Sequence, residues 1–227
     1  MMSAAQLYRP EAVFFDLDGT LIDTAPDFFR VMNMQRGQRG LPAMAYEAVR
    51  KTVSDGARAM VKLSFTMEET DAEFELLRQE LLDLYLRHIA VDSRLFEGYE
   101  ALLSLLESQG VSWGVVTNKP RLYSEALLQA LGLNSRMAAL VCPDDVSRTK
   151  PDPEPMLLAS RLADCDPQRC WYVGDHIRDI QAGANAGMLT IAAAYGYLDE
   201  PESALAWNAD HVAHSVEDIA ALLKQVL

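Results

Sequence analysis

From about residue 95 onward the chain alternates short, nearly continuous apolar runs with amphipathic stretches, and that alternation limits its fold more than any other feature. "YEALLSLLESQG", "RLYSEALLQALGL", "EPMLLASRLA", "IRDIQAGANAG" and "VEDIAALLKQVL" carry apolar residues at helical spacing, with Gly110 and Gly187 as stops. "VSWGVVTN", "MAALVCP", "CWYVGD" and "LTIAAA" read as strands between them. Strands that are apolar throughout must be covered on both faces, which predicts a parallel sheet with helices on each side. Such a sheet binds its ligand outside the carboxyl ends of its strands. "EAVFFD", residues 11–16, is the expected first strand.

Residues 22–94 break the alternation. "DFFRVMNMQRGQRG", "AYEAVRKTV", "GARAMVKLSF" and "DAEFELLRQELLDLYLRHI" all read as helices, and no strand is expected among them. The economical division is an α/β core, doubly wound and Rossmann-like, from residues 1–21 and 95–227, with an inserted all-helical cap over 22–94. The alternative is extra helices packed on the flank of the sheet.

Composition narrows the function. The 227 residues are half hydrophobic and carry a net charge of −13. The acidic balance argues against a nucleic-acid binder, which shows a basic patch or stripe, and against attraction to an anionic membrane. The three cysteines, Cys142, Cys165 and Cys170, offer no disulfide framework and fit a reducing compartment. The leading "MMSAAQLYRPE" lacks the apolar core of an export signal, and no apolar run reaches the ~20 residues of a membrane span. The expectation is a soluble, cytoplasmic protein, monomeric or homodimeric, whose partner is a small molecule.

Polar residues gather at the predicted strand ends. Asp16 and Asp18 leave the first strand in "FFDLDGTLID", where an unpaired buried carboxylate costs several kcal/mol. Thr117 and Asn118 leave "WGVV", Lys150 follows "AALVCP", and Asp175 leaves "WYV" with Asp179 one helical turn on. Several acids on one rim ask for a hard divalent cation such as Mg²⁺, which takes carboxylates, waters and a phosphate oxygen. Lys150, Thr117 and Asn118 suit phosphoryl oxygens. Singly, each has a plainer reading: Asp175 as a helix N-cap, Lys150 as a solvated surface lysine. The ordered set on one rim is far more specific.

In this order, "FFDLDGTLID", "VVTNKP", "KPDPEP" and "GDHIRD" resemble the four motifs of the haloacid-dehalogenase-like hydrolases, over essentially the whole chain and with a helical insert between the first two. "VTNKP" and "KPDPEP" are most similar to the phosphoglycolate-phosphatase group. "LIDTAPDF", "VSDGARAM", "CPDDVSRTKPDPEPML" and "AYGYLDEPE" resemble the N-acetylmuramic acid 6-phosphate phosphatases of bacterial cell-wall recycling.

The resemblance implies a Mg²⁺-dependent phosphomonoesterase for a small anionic phosphorylated metabolite. Asp16 is then the nucleophile that forms an aspartyl-phosphate, and Asp18 the general acid and base. The metal takes the carboxylates of Asp16 and Asp175 and the backbone carbonyl of Asp18, with Asp179 orienting its shell. Thr117, Asn118 and Lys150 hold the phosphoryl group, and Gly19 and Thr20 permit the turn after the nucleophile. "TVSDGARAM" has a local reading too, with Ser54 or Asp55 as an N-cap and Gly56 as a tight helix entry. In the resemblance this region meets substrate, so Gly56, Arg58 and Lys119 are candidates for specificity, with Arg121 a further cation nearby. A receiver-like phosphoacceptor signalling module also clusters acids, a Thr and a Lys on a rim, but has no helical insert after its first strand. A β-phosphoglucomutase-like phosphotransferase keeps Asp18 and stays an alternative. A dehalogenase would not need that second acid, and a phosphonatase would need a Schiff-base lysine, for which Lys51 and Lys62 show no distinguishing context.

Overall fold

The computed structural model describes residues 7–198 and 200–227. The export-signal expectation therefore lies largely outside the described residues, as does Asp199 of "AYGYLDEPE".

Strand β1, Ala12–Phe15, is central in a six-stranded, all-parallel sheet. On one side lie β4 (Ser112–Val116) and then β5 (Ala139–Val141). On the other lie β6 (Cys170–Gly174), β7 (Leu189–Ala193) and β8 (His211–Ala213). The chain reverses its direction of travel across the sheet at β1, so the crevice beyond Phe15 is the topological switch point where such sheets take ligands.

The apolar runs are continuous because both faces are buried. Val13, Phe15, Trp113, Val115, Trp171 and Val173 share one core, beneath helices α5 (Tyr99–Ser108), α6 (Arg121–Ala130) and α9 (Val216–Lys224). The alternate residues Ala12, Phe14, Val116, Cys170 and Tyr172 share the opposite core, beneath α7 (Glu154–Leu162) and α8 (Ile177–Asn185). The period-two switch between faces is what a pleated strand imposes.

Between β1 and α5 the chain forms α1 (Ala25–Gly37), α2 (Tyr46–Thr52), α3 (Gly56–Phe65) and α4 (Phe74–Arg87). These helices bury a second cluster, built on Val31, Met32, Val61, Phe74, Leu81 and Tyr85 and joined by Tyr123 and Tyr197 from outside the insert. The absence of strands expected over 22–94 needs correcting. Two-residue strands β2 (Ile22–Asp23) and β3 (Arg94–Leu95) pair antiparallel at the two ends of the insert. Two residues are too few to show a period, so the ribbon had no signal. Strand β8 was missed for a similar reason, its three residues being only partly apolar.

No helix among the described residues is long and apolar enough to cross a membrane.

Candidate active site

Asp16 follows β1 directly and is anchored by its N–H, which donates to the Val173 carbonyl at 2.9 Å. Two glycines let the acids crowd together. Gly19 has φ +82°, and a Cβ there would stand 2.2 Å from Asp175 Oδ2, so no side chain fits where the loop passes Asp175. A Cβ on Gly174 would lie 2.3 Å from that of Asp179, so glycine lets the start of α8 close on the end of β6. Thr20 donates its hydroxyl to Asp175 Oδ1 at 2.9 Å, and the Tyr197 N–H reaches Asp175 Oδ2 at 2.9 Å.

One carboxylate oxygen from each of Asp16, Asp175 and Asp179 lies within 4.8 Å of the others, and all three residues are buried. Lys150, fully buried, is the ammonium among them. It contacts Asp16 Oδ1 at 2.8 Å and Asp179 Oδ1 at 2.7 Å, and donates to the Val116 carbonyl at 2.9 Å beside the Tyr172 hydroxyl at 3.0 Å. Burial alone would lower its pKa, but the charges of Asp16 and Asp179 outweigh that and leave it raised. One ammonium does not balance three carboxylates. Burial, then repulsion from Asp16 and Asp179, pushes Asp175 up to about 7. Burial raises Asp179 as well, against the pull of Lys150. A buried all-oxygen donor set with surplus negative charge fits a hard divalent cation.

Asp18 faces elsewhere. Its Oδ1 accepts from the Thr24 hydroxyl at 2.5 Å, and Lys119 Nζ lies 2.9 Å from Oδ1 and 3.2 Å from Oδ2. The Lys119 ammonium sits over the rings of Phe28 and Tyr85, at 4.9 and 4.5 Å from their centroids. Those rings stack on each other at 4.1 Å. Burial pulls the ammonium down, yet Asp18 and Tyr85 beside it leave its pKa raised.

Above this rim lies a cavity of about 380 Å³, lined on its far side by the helical layer. Asp16, Asp18, Thr117 and Asn118 form its floor, while Val53, Gly56, Arg58, Met60 and Leu82 form part of its roof. Ser54 ties the two together: its hydroxyl lies 3.5 Å from Asp175 Oδ2, and its carbonyl accepts from Arg178 Nη2 at 2.5 Å. Arg50 adds a second tie, donating to the Tyr195 and Gly196 carbonyls at 3.1 and 2.7 Å.

The sequence matches the haloacid dehalogenase-like hydrolase family over residues 13–193. The chain belongs to that family. It is 45% identical over 219 residues to an N-acetylmuramic acid 6-phosphate phosphatase from Pseudomonas aeruginosa, covering 96% of this chain and 97% of that protein. It is 40% identical over 201 residues to a phosphoglycolate phosphatase from Xanthomonas campestris, covering 88% and 90%. Among solved structures, a predicted phosphoglycolate phosphatase from Haemophilus somnus superimposes with a TM-score of 0.81 at 25% identity, covering 93% of this chain and 97% of that one.

In this haloacid dehalogenase-like hydrolase, the residues expected at the strand ends come together on one rim. Asp16, Asp175 and Asp179 form the acid cluster, and the Asp18 side chain stands outside it. Thr117, Asn118 and Lys119 lie together after β4, where the Thr117 hydroxyl accepts the Lys119 N–H at 3.1 Å and the Asn118 amide donates to the Lys150 carbonyl at 3.3 Å. Lys150 is no surface lysine, and its donors are directed at protein acceptors. Gly56, with φ +82°, and Arg58 line the cavity. Arg58 pairs with Glu69 at 2.8 Å and Glu75 at 3.8 Å, its side chain 54% exposed. Arg121 lies away from the cavity lining, in ion pairs with Glu125 and Asp145.

The local capping readings need revision. The N-cap of α8 is His176, not Asp175. Its Nδ1 accepts the Arg178 N–H at 3.1 Å, while Asp179 accepts the His176 N–H at 3.0 Å. Burial, then Arg178, lowers the His176 pKa, in keeping with an accepting ring nitrogen. Neither Ser54 nor Asp55 caps α3 through its side chain. Three residues lie in stretches that carry the resemblance, yet sequence alone does not single them out for these roles: Ser54 as a tie to Asp175, Tyr197 as a donor to it, and Arg178 on the cavity wall.

Proposed function

We propose that this hydrolase is a Mg²⁺-dependent phosphomonoesterase whose substrate is N-acetylmuramic acid 6-phosphate. The observation that carries the reading is the pairing of Asp16 and Asp18, in unlike surroundings, on the floor of one cavity. The substrate reading is supported by the Pseudomonas relative, which matches nearly end to end, and is compatible with a cavity volume within the roughly 300–1,000 Å³ of metabolite pockets. Phosphoglycolate is the second reading, supported by the Xanthomonas relative. Residues 22–94 act as a cap, a role supported by a core built mainly from their own helices and by their share of the cavity wall.

Asp16 is the nucleophile. Lys150 holds its Oδ1, and no hydrogen bond reaches Oδ2 among the described residues, so that oxygen is free to attack the phosphorus. The Oδ2–P bond forms as the ester O–P bond breaks, giving an aspartyl-phosphate. Asp18 gives its proton to the departing alkoxide and then takes one from the water that releases phosphate. Thr117 and Asn118 orient the phosphoryl oxygens. Lys150 offsets the charge of Asp16 and Asp179 rather than spending its donors on the phosphate. The carboxylates of Asp16 and Asp175 and the Asp18 carbonyl would hold Mg²⁺, with Asp179 beside them to steady the shell. When bound, Mg²⁺ withdraws charge from the phosphoryl oxygens and screens them from the three acids. Gly56, Arg58 and Lys119 contact the leaving group and set specificity.

The test is phosphate release, with and without Mg²⁺, from N-acetylmuramic acid 6-phosphate, phosphoglycolate, nucleotides and β-glucose 1-phosphate. The highest kcat/KM is expected on the muramic acid ester. A higher value on phosphoglycolate would reassign the substrate, and isomerisation of β-glucose 1-phosphate without phosphate release would reassign the chemistry. Activity that survives thorough chelation would remove the metal.

A further inference from the structure

We infer that Arg178 binds a carboxylate on the leaving group, so that the substrates of this enzyme are phosphomonoesters of an acid rather than of a neutral alcohol. The inference rests on the phosphomonoesterase reading and deepens it.

The cavity wall carries four cations, Arg58, Arg78, Lys119 and Arg178, in a protein whose net charge is −13. Three of them already face a carboxylate. Arg58 pairs with Glu69 and Glu75, Arg78 with Glu75, and Lys119 with Asp18. Among the described residues, Arg178 has no acid within ion-pair distance. Its single side-chain bond runs from Nη2 to the Ser54 carbonyl, a neutral acceptor. Its Nε is buried without a partner. A guanidinium that is half-buried and short of acceptors, with only the longer-range charge of Asp179 acting on it, is costly unless an anion completes it. A planar fork of N–H donors is suited to a carboxylate.

Its position favours the leaving group over the phosphate. Arg178 is held from the roof by Ser54, at the junction between the phosphate floor and the helical layer. The Pseudomonas and Xanthomonas relatives are named for substrates, N-acetylmuramic acid 6-phosphate and phosphoglycolate, that carry one carboxylate besides the phosphate. Although these alcohols differ greatly in size, the second negative charge is common to them.

The experiment compares substrates that differ in that charge. One pair is N-acetylmuramic acid 6-phosphate against N-acetylglucosamine 6-phosphate. The other is phosphoglycolate against 2-hydroxyethyl phosphate. For each, kcat/KM is measured for the wild-type enzyme, Arg178→Gln and Arg178→Lys. The wild type should favour the acid in at least one pair, and Arg178→Gln should cut that preference about tenfold, mainly through KM. Arg178→Lys, which keeps one charged donor, should restore part of it. Because a ratio is read, damage common to both members of a pair cancels. Equal losses on acid and neutral ester would assign Arg178 to the phosphate or to the Ser54 contact and overturn the inference. A wild type that hydrolyses both members equally in both pairs overturns the carboxylate class while leaving the phosphomonoesterase reading intact. No hydrolysis of any of the four overturns both.

Discussion

Asp16 and Asp18 stand two positions apart on one loop, and on the proposed reading their unlike surroundings divide the work between them. Lys150 and the acid cluster surround Asp16, while Thr24 and Lys119 hold Asp18 on the floor of the cavity. Asp16→Asn should therefore abolish turnover and leave no phosphorylated protein. Asp18→Asn should lower kcat about 10²–10⁴-fold, the usual worth of general acid–base help. Rapid-quench measurement of turnover and of protein-bound phosphate separates the two, and near-normal turnover in either variant would remove that residue from the mechanism. Both acids are readable from sequence because carboxylates placed directly after an apolar strand are costly to bury and so mark a site that compensates them. Arg178 is not readable in that way. An arginine in the first turn of a helix looks solvated until the Ser54 carbonyl, far away in sequence, is seen to meet it.

Elements long enough to repeat a pattern could be anticipated from sequence, and contacts between distant elements could not. The helix expected from "GARAMVKLSF" spans Gly56–Phe65, and the apolar runs became β1, β4, β6 and β7. The ribbon of β2 and β3 stayed hidden, as did the start of α1. That helix begins with no side-chain cap of its own. Tyr197, in the loop after β7, supplies one. Its hydroxyl accepts from the Thr24 and Ala25 N–H groups at 2.6 and 2.8 Å and donates to Asp23 Oδ1 at 2.6 Å. One phenol thus joins the ribbon, the first helix of the insert and, through its own N–H, Asp175. Tyr197→Phe keeps the ring but leaves two buried amides without an acceptor. The expected cost is about 1–3 kcal/mol in urea unfolding, the penalty of buried unsatisfied groups. A change below about 0.5 kcal/mol, the scatter of ordinary surface substitutions, would mean that another acceptor replaces the phenol.

At the scale of the whole molecule, folding concentrates three carboxylates around one ammonium, and stability should be linked to pH and metal through that cluster. Without metal, the pKa of Asp175 is raised to about 7 and that of Asp179 to about 6, chiefly by burial. An unfolded aspartate titrates near 4. Between those values the native state binds more protons than the unfolded one, so this contribution to stability is present in full below about pH 4 and is lost as pH rises through about 6–7. On the proposed reading Mg²⁺ would act in the opposite sense, because it would bind the ionised acids of the native state and compete with their protons. The rise in Tm caused by saturating Mg²⁺ should therefore be small at pH 5 and several degrees larger at pH 8, since each kcal/mol moves Tm by about 2–4 °C in a domain of this size. Calorimetric melts at the two pH values, each with chelator and with Mg²⁺, give the comparison. Asp175→Asn takes one anion out of the cluster, so it should shrink the increment at pH 8 and leave the chelated protein more stable there than the wild type. An increment that is equal at both pH values would show that the cation binds somewhere other than among Asp16, Asp175 and Asp179.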